Sequence, residues 1–74
     1  MFHFVQDDIK RGAKVATAQD IGRRAYVYAP GGRRVYGIIA AVEPHPMFSA
    51  PRVRLEQGGR SVADGWALDE CLLS

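Results

Sequence analysis

Cysteine is all but missing: Cys71 is the only one in 74 residues. No internal disulfide can brace the fold, and a lone thiol suits a reducing cytosol better than a secreted setting. Histidine is scarce as well. His3, His45 and Cys71 show no C-x-x-C or H-x-x-x-H spacing, and Asp64, Asp69 and Glu70 do not make a calcium loop, so neither metal nor other cofactor is expected. The longest apolar run, Val35 to Val42, is far too short to cross a bilayer. Met1 to Gln6 lacks a basic leader and a small-residue cleavage pattern, and the expectation is a soluble, cytoplasmic chain without membrane partners. Lys and Arg are absent after residue 60: residues 1–60 hold all ten against five acids, a net +5, while residues 61–74 carry three acids, a net −3. A basic body with an acidic tail fits nucleic-acid contact, complementary packing within a dimer, or an ordinary mixed surface.

Catalytic patterns are missing too. His45 stands between Pro44 and Pro46 with no acid or nucleophile paired to it, and Ser49 has no oxyanion glycine motif, whereas a base needs a partner within reach and a group to orient it. Gly31-Gly32-Arg33-Arg34 has the glycines and arginines of a phosphate loop but lacks the Gly-Lys-Ser/Thr ending and a following helix, so it reads as a hairpin turn flanked by arginines. Cys71 lies beside Asp69 and Glu70, which disfavour a thiolate, and is read as a buried structural residue. An enzyme is not expected.

What is present is ordinary globular composition, 47% hydrophobic and 24% charged, enough for one domain with one modest core. With disulfide and metal set aside, a domain this small leans on tight packing or on homo-oligomerisation. Residues 1–20 read as a lead-in. Phe2, His3 and Phe4 suggest a short strand or an apolar plug, Gln6 to Lys14 a turn or two of helix, and Thr17 to Asp20 another short turn. Residues 21–74 read as β structure. Arg23 to Ala29 is a strand ended by Pro30-Gly31-Gly32, and Arg33 to Glu43 is a longer one with a bend or bulge invited by Gly37. Pro44 to Pro51 is a loop. Pro51 to Gln57 and Arg60 to Ala63 are strands about the Gly58-Gly59 turn, Asp64-Gly65 signals another turn, and Leu68, Cys71 and Leu72 have the spacing of a closing helical turn.

Short strands with Gly and Pro turns suggest a mainly β fold, a single small barrel of about five strands. The segments Ile21-Gly22-Arg23-Arg24-Ala25-Tyr26-Val27, Gly37-Ile38-Ile39, Val53-Arg54-Leu55-Glu56 and Trp66-Ala67-Leu68-Asp69-Glu70 follow an order that resembles the SH3-like barrels, and within them KOW-type domains and the type II dihydrofolate reductases. The reductases carry a Val-Gln-Ile-Tyr pore segment, whereas the corresponding region here reads Ser61-Val62-Ala63-Asp64-Gly65-Trp66. The resemblance therefore implies a fold and no active-site residues.

Two constellations stand out as binding candidates. Arg24, Tyr26 and Tyr28 alternate with Ala25, Val27 and Ala29, and Arg52 and Arg54 alternate with Val53 and Leu55, which describes a half-buried sheet whose wet face is basic and aromatic. With Arg33 and Arg34 at the turn, such a face can stack bases and neutralise phosphates. It can equally dock a protein, or the tyrosines can pack under the N-terminal segment or a second subunit. Met47 and Phe48, at the tip of a proline-stiffened loop, either cap the barrel end or project to a partner as aromatic anchors. The reading is a binding module that docks on a protein or nucleoprotein complex, in the style of phage and mobile-element accessory proteins, some of which are anti-CRISPR inhibitors. The alternatives are direct DNA or RNA binding, and an oligomeric enzyme whose site forms only between subunits.

Overall fold

The computed structural model describes residues 2–74, with side chains described from Phe4 onward. The chain is mainly β. Helix α1 (Phe2–Lys10) leads through a 3-10 turn at Ala18–Asp20 into strands β1 (Arg24–Ala29), β2 (Arg33–Glu43), β3 (Arg52–Gln57) and β4 (Arg60–Ala67). A second 3-10 turn (Leu68–Glu70) then delivers the short β5 (Leu72–Leu73). The five strands form one antiparallel sheet in the order β4-β3-β2-β1-β5.

The long β2 organises the sheet. Its residues Arg33 to Ile38 pair with β1 and its residues Ile38 to Glu43 pair with β3. Between the Ile39–Leu55 and Ala41–Arg54 pairs β2 carries one extra residue, Ala40. This bulge changes which residues face inward: Gly37 and Ile39 are buried before it, and Val42 packs on the core after it. The expected bend at Gly37 is therefore displaced to Ala40. Gly37 answers a different demand, because a Cβ there would lie 2.9 Å from the Glu56 carbonyl oxygen and 3.0 Å from Leu55 Cβ. The β3 backbone passes too close for any side chain.

Asp64-Gly65 also departs from expectation. Instead of ending the strand, it sits inside β4, where Val53 pairs with Trp66 and Leu55 with Ala63. Three steps on β4 thus match two on β3, and Gly65 takes φ +76°, a backbone that glycine adopts without penalty. The turn signal was real, but pairing on both sides of it converts it into a bulge.

The principal core lies on the inward face, where Ala25, Val27, Ile39, Val53, Leu55 and Cys71 are buried. A second cluster forms on the other face of β1, where Val5 of α1 meets Tyr26 and Leu72. The N-terminal segment is therefore a helix, correcting the strand or plug expected at Phe2, His3 and Phe4, and the His3 side chain lies outside the described residues. Val5 and Asp8, three apart, face the sheet, and that amphipathic spacing outweighs the strand-like alternation of two phenylalanines. The turn at Thr17–Asp20 is where the sequence put it. The Thr17 hydroxyl accepts from the Gln19 N–H at 3.3 Å, and the Asp20 carboxylate accepts from the Thr17 N–H at 2.8 Å. Among the described residues no helix is long and apolar enough to cross a membrane.

Candidate functional site

Alternation along β1 puts Arg24, Tyr26 and Tyr28 on one face and Ala25, Val27 and Ala29 on the other, as the pattern requires. The tyrosine face is not wet, however: α1 lies across it, leaving Tyr26 only 6% exposed. The buried Asp8 of α1 accepts hydrogen bonds on one carboxylate oxygen from the Tyr26 hydroxyl at 2.6 Å, the Tyr28 hydroxyl at 2.5 Å and Arg34 at 3.0 Å. Arg34 also donates to the Tyr28 hydroxyl at 2.9 Å and the Tyr36 hydroxyl at 3.0 Å. Its guanidinium sits 4.6 Å from the Tyr26 ring centroid, and Phe4 stacks on Tyr28 at 5.3 Å. The hydroxyls of Tyr26 and Tyr28, then Arg34 and Arg11, hold the Asp8 carboxyl below its ordinary range against the opposing effect of burial. Burial first, and the Asp8 carboxylate second, push the phenols of Tyr26 and Tyr28 upward.

The structure thus brings Tyr26, Tyr28 and Arg34 together, but around an internal carboxylate that satisfies them. Arg52 and Arg54 lie elsewhere on the sheet, across from Glu43 and Ala41 of β2. Arg54 Nε stands 3.3 Å from Glu56 Oε2, without the geometry of a hydrogen bond. Arg24 and Arg33 are exposed and border two shallow openings beside β2.

The second constellation is the loop after β2. Met47 is 83% exposed and Phe48 53%, so neither closes the end of the sheet. The loop is nonetheless ordered. The Phe48 N–H donates to the His45 carbonyl at 3.3 Å, and the Met47 N–H donates to His45 Nδ1 at 3.1 Å. Phe48 lies between the His45 ring, 4.7 Å away, and the Arg52 guanidinium, 3.8 Å from its centroid. At the base of the loop, Leu68 N–H donates to the Pro51 carbonyl at 2.9 Å. This arrangement holds an aromatic ring outward on a stiff support, and Arg52 belongs to it.

Three participants escaped the sequence reading. Asp8 lies in the lead-in, where its i+3 spacing from Val5 places both on one helical face, and its burial follows from the packing of α1 on β1. Tyr36 carries no sign in the sequence beyond its place in a strand, and the hydrogen bond that its hydroxyl accepts from Arg34 is set by tertiary packing. His45, expected as a loop histidine with no acid or nucleophile paired to it, accepts instead from the Met47 N–H two residues on.

A scan against protein-family models returns no match, and searches of curated proteins and of solved structures return none. The functional reading rests on this chain's own geometry.

Proposed function

We propose that this chain is a non-enzymatic binding module that docks on a protein or nucleoprotein complex through the Pro44–Pro51 loop. The observation that carries the reading is the outward display of Met47 and Phe48 on a loop already fixed by His45 and Arg52. Large exposed apolar side chains concentrate binding energy, and an ordered loop loses little entropy on docking. The fold we propose is of SH3-like type, supported by a long second strand shared between two halves of a five-stranded antiparallel sheet. Small size and the lack of a catalytic pattern suit a cytoplasmic accessory protein of a phage or mobile element, of which an anti-CRISPR-type inhibitor is one kind.

The test combines two measurements. Fluorescence anisotropy with labelled single- and double-stranded DNA and RNA is expected to show no binding that survives physiological salt. A photo-crosslinking side chain at position 47 is expected to give discrete protein adducts that Phe48→Ala abolishes. Nucleic-acid binding that persists at physiological salt and is lost in Arg52→Glu, with no Phe48-dependent adduct, would overturn the reading in favour of a nucleic-acid module.

A further inference from the structure

A second surface lies where β2 leaves its neighbour. Arg33 to Gly37 pair with β1 on one side, but β3 reaches β2 only from Ile38 onward. The Ile39 N–H donates to the Arg23 carbonyl on the β1 side. Alternation therefore turns the backbone N–H and C=O of Arg34 and Tyr36 the other way, where no backbone partner meets them among the described residues. Two openings flank this edge and share Tyr36 and Gln57. One, of about 370 Å³, is bordered by Arg33, Arg34 and Val62, and the other, of about 220 Å³, by Arg24, Ile38 and Glu56. Tyr36, Ile38 and Val62 are each more than a third exposed here. Arg34 is committed to Asp8, which leaves Arg24 and Arg33 against Glu56, so the surface is positive as well as apolar.

We propose that this edge takes an extended peptide with alternating acidic and apolar residues, which adds a strand to β2 beside Arg33 to Gly37. The peptide backbone bonds Arg34 and Tyr36, its apolar side chains rest on Tyr36 and Ile38, and its acids, on the opposite face of the added strand, meet Arg33. A second copy of this chain is the poorer occupant. Paired through the same edge, two copies would bring Arg33 of each towards the other, with no acid between Arg33 and Gly37 to offset the pair. The surface is separate from the Met47–Phe48 loop, which leaves the other end of β2, so the two proposals stand or fall independently.

The experiment is selection from a random peptide display library on the folded full chain. The best sequence is then synthesised with a fluorescent label, both plain and N-methylated at alternate residues. Enriched sequences should alternate acidic and apolar residues, and the plain peptide should shift the amide resonances of Arg34 and Tyr36. N-methylation in one alternate register, which removes the donors facing β2, should abolish binding, and Arg33→Glu should weaken it about tenfold. Arg33 is exposed and outside the Asp8 network, so this variant is expected to fold, and its circular dichroism checks that. No enrichment would overturn the proposal. So would peptides that shift only Met47 and Phe48, or binding indifferent to N-methylation in either register. Self-association at this edge in sedimentation, or competition by a single-stranded oligonucleotide rather than by peptide, would replace the occupant and equally overturn it.

Discussion

Asp8 carries a disproportionate share of the attachment of α1 to the sheet. One buried carboxylate oxygen takes three hydrogen bonds, and for the buried Tyr26 it is the acceptor that its hydroxyl would otherwise lack. Asp8→Asn keeps the shape but removes the charge and part of the accepting capacity, leaving hydroxyls under-satisfied. A loss of about 2–3 kcal/mol is expected near neutral pH, measured by urea unfolding. The pH dependence follows from the sign of the shift. The folded carboxyl titrates below its ordinary value of 3.8, so its contribution is complete above that value and fades as pH falls through the depressed folded value. The gap between Asp8→Asn and the unmodified chain should therefore close as pH falls below the ordinary carboxylate range. An equal gap at both ends of the range would show that the effect is packing and not charge.

At the scale of the elements, Gly37 carries the sharpest prediction. Gly37→Ala puts a methyl 2.9 Å from the Glu56 carbonyl oxygen and 3.1 Å from a Val62 methyl, and the first contact is backbone that cannot swing aside. Unfolding midpoints should reveal a cost of about 1–3 kcal/mol. An unchanged midpoint would mean that β3 lies further from β2 than the structure has it. The strands themselves were legible, because β2 from Arg33 to Glu43 and the turns at Pro30–Gly32 and Gly58–Gly59 are fixed by local chemistry that acts wherever the chain goes. The bulges at Ala40 and Gly65 were not legible where they fell, since each depends on the partner strand's register. The covering of Tyr26 and Tyr28 was not decided by β1 either. Alternation identifies two faces of a strand, but whether the polar face meets water depends on a helix nearly twenty residues upstream, whose carboxylate converts a basic and aromatic face into an interior. Of the candidate binding residues, Met47 and Phe48 were legible as a pair, and their exposure was not. Arg52 was legible as a cation, but its place over Phe48 required the loop to fold back on β3.

For the whole molecule, Cys71 is the natural reporter of cohesion. Its thiol is fully buried among Ala25, Val27, Ile39, Val53 and Leu55, and its neighbours in the chain tie distant parts together. The Ala16 N–H donates to the Cys71 carbonyl at 2.8 Å, and the Cys71 N–H donates to the Leu68 carbonyl at 3.1 Å, while the adjacent Leu72 pairs with Tyr26 and bridges to Val15. Burial first, and the charge of Asp20 second, push the thiol up to about 11, so its reactivity at neutral pH is low for two reasons: little thiolate and no access. Reaching it requires the C-terminal segment to leave β1, which would also uncover the core and the seat of α1. A thiol-specific chromophoric reagent should therefore react with the native chain only as fast as the chain opens globally. In rising urea, the free energy of thiol exposure should follow the unfolding free energy seen by circular dichroism, with the same slope. A flat, urea-independent rate would show that β5 frays from the sheet alone, and the two hydrophobic clusters would then be separable units instead of one cooperative core.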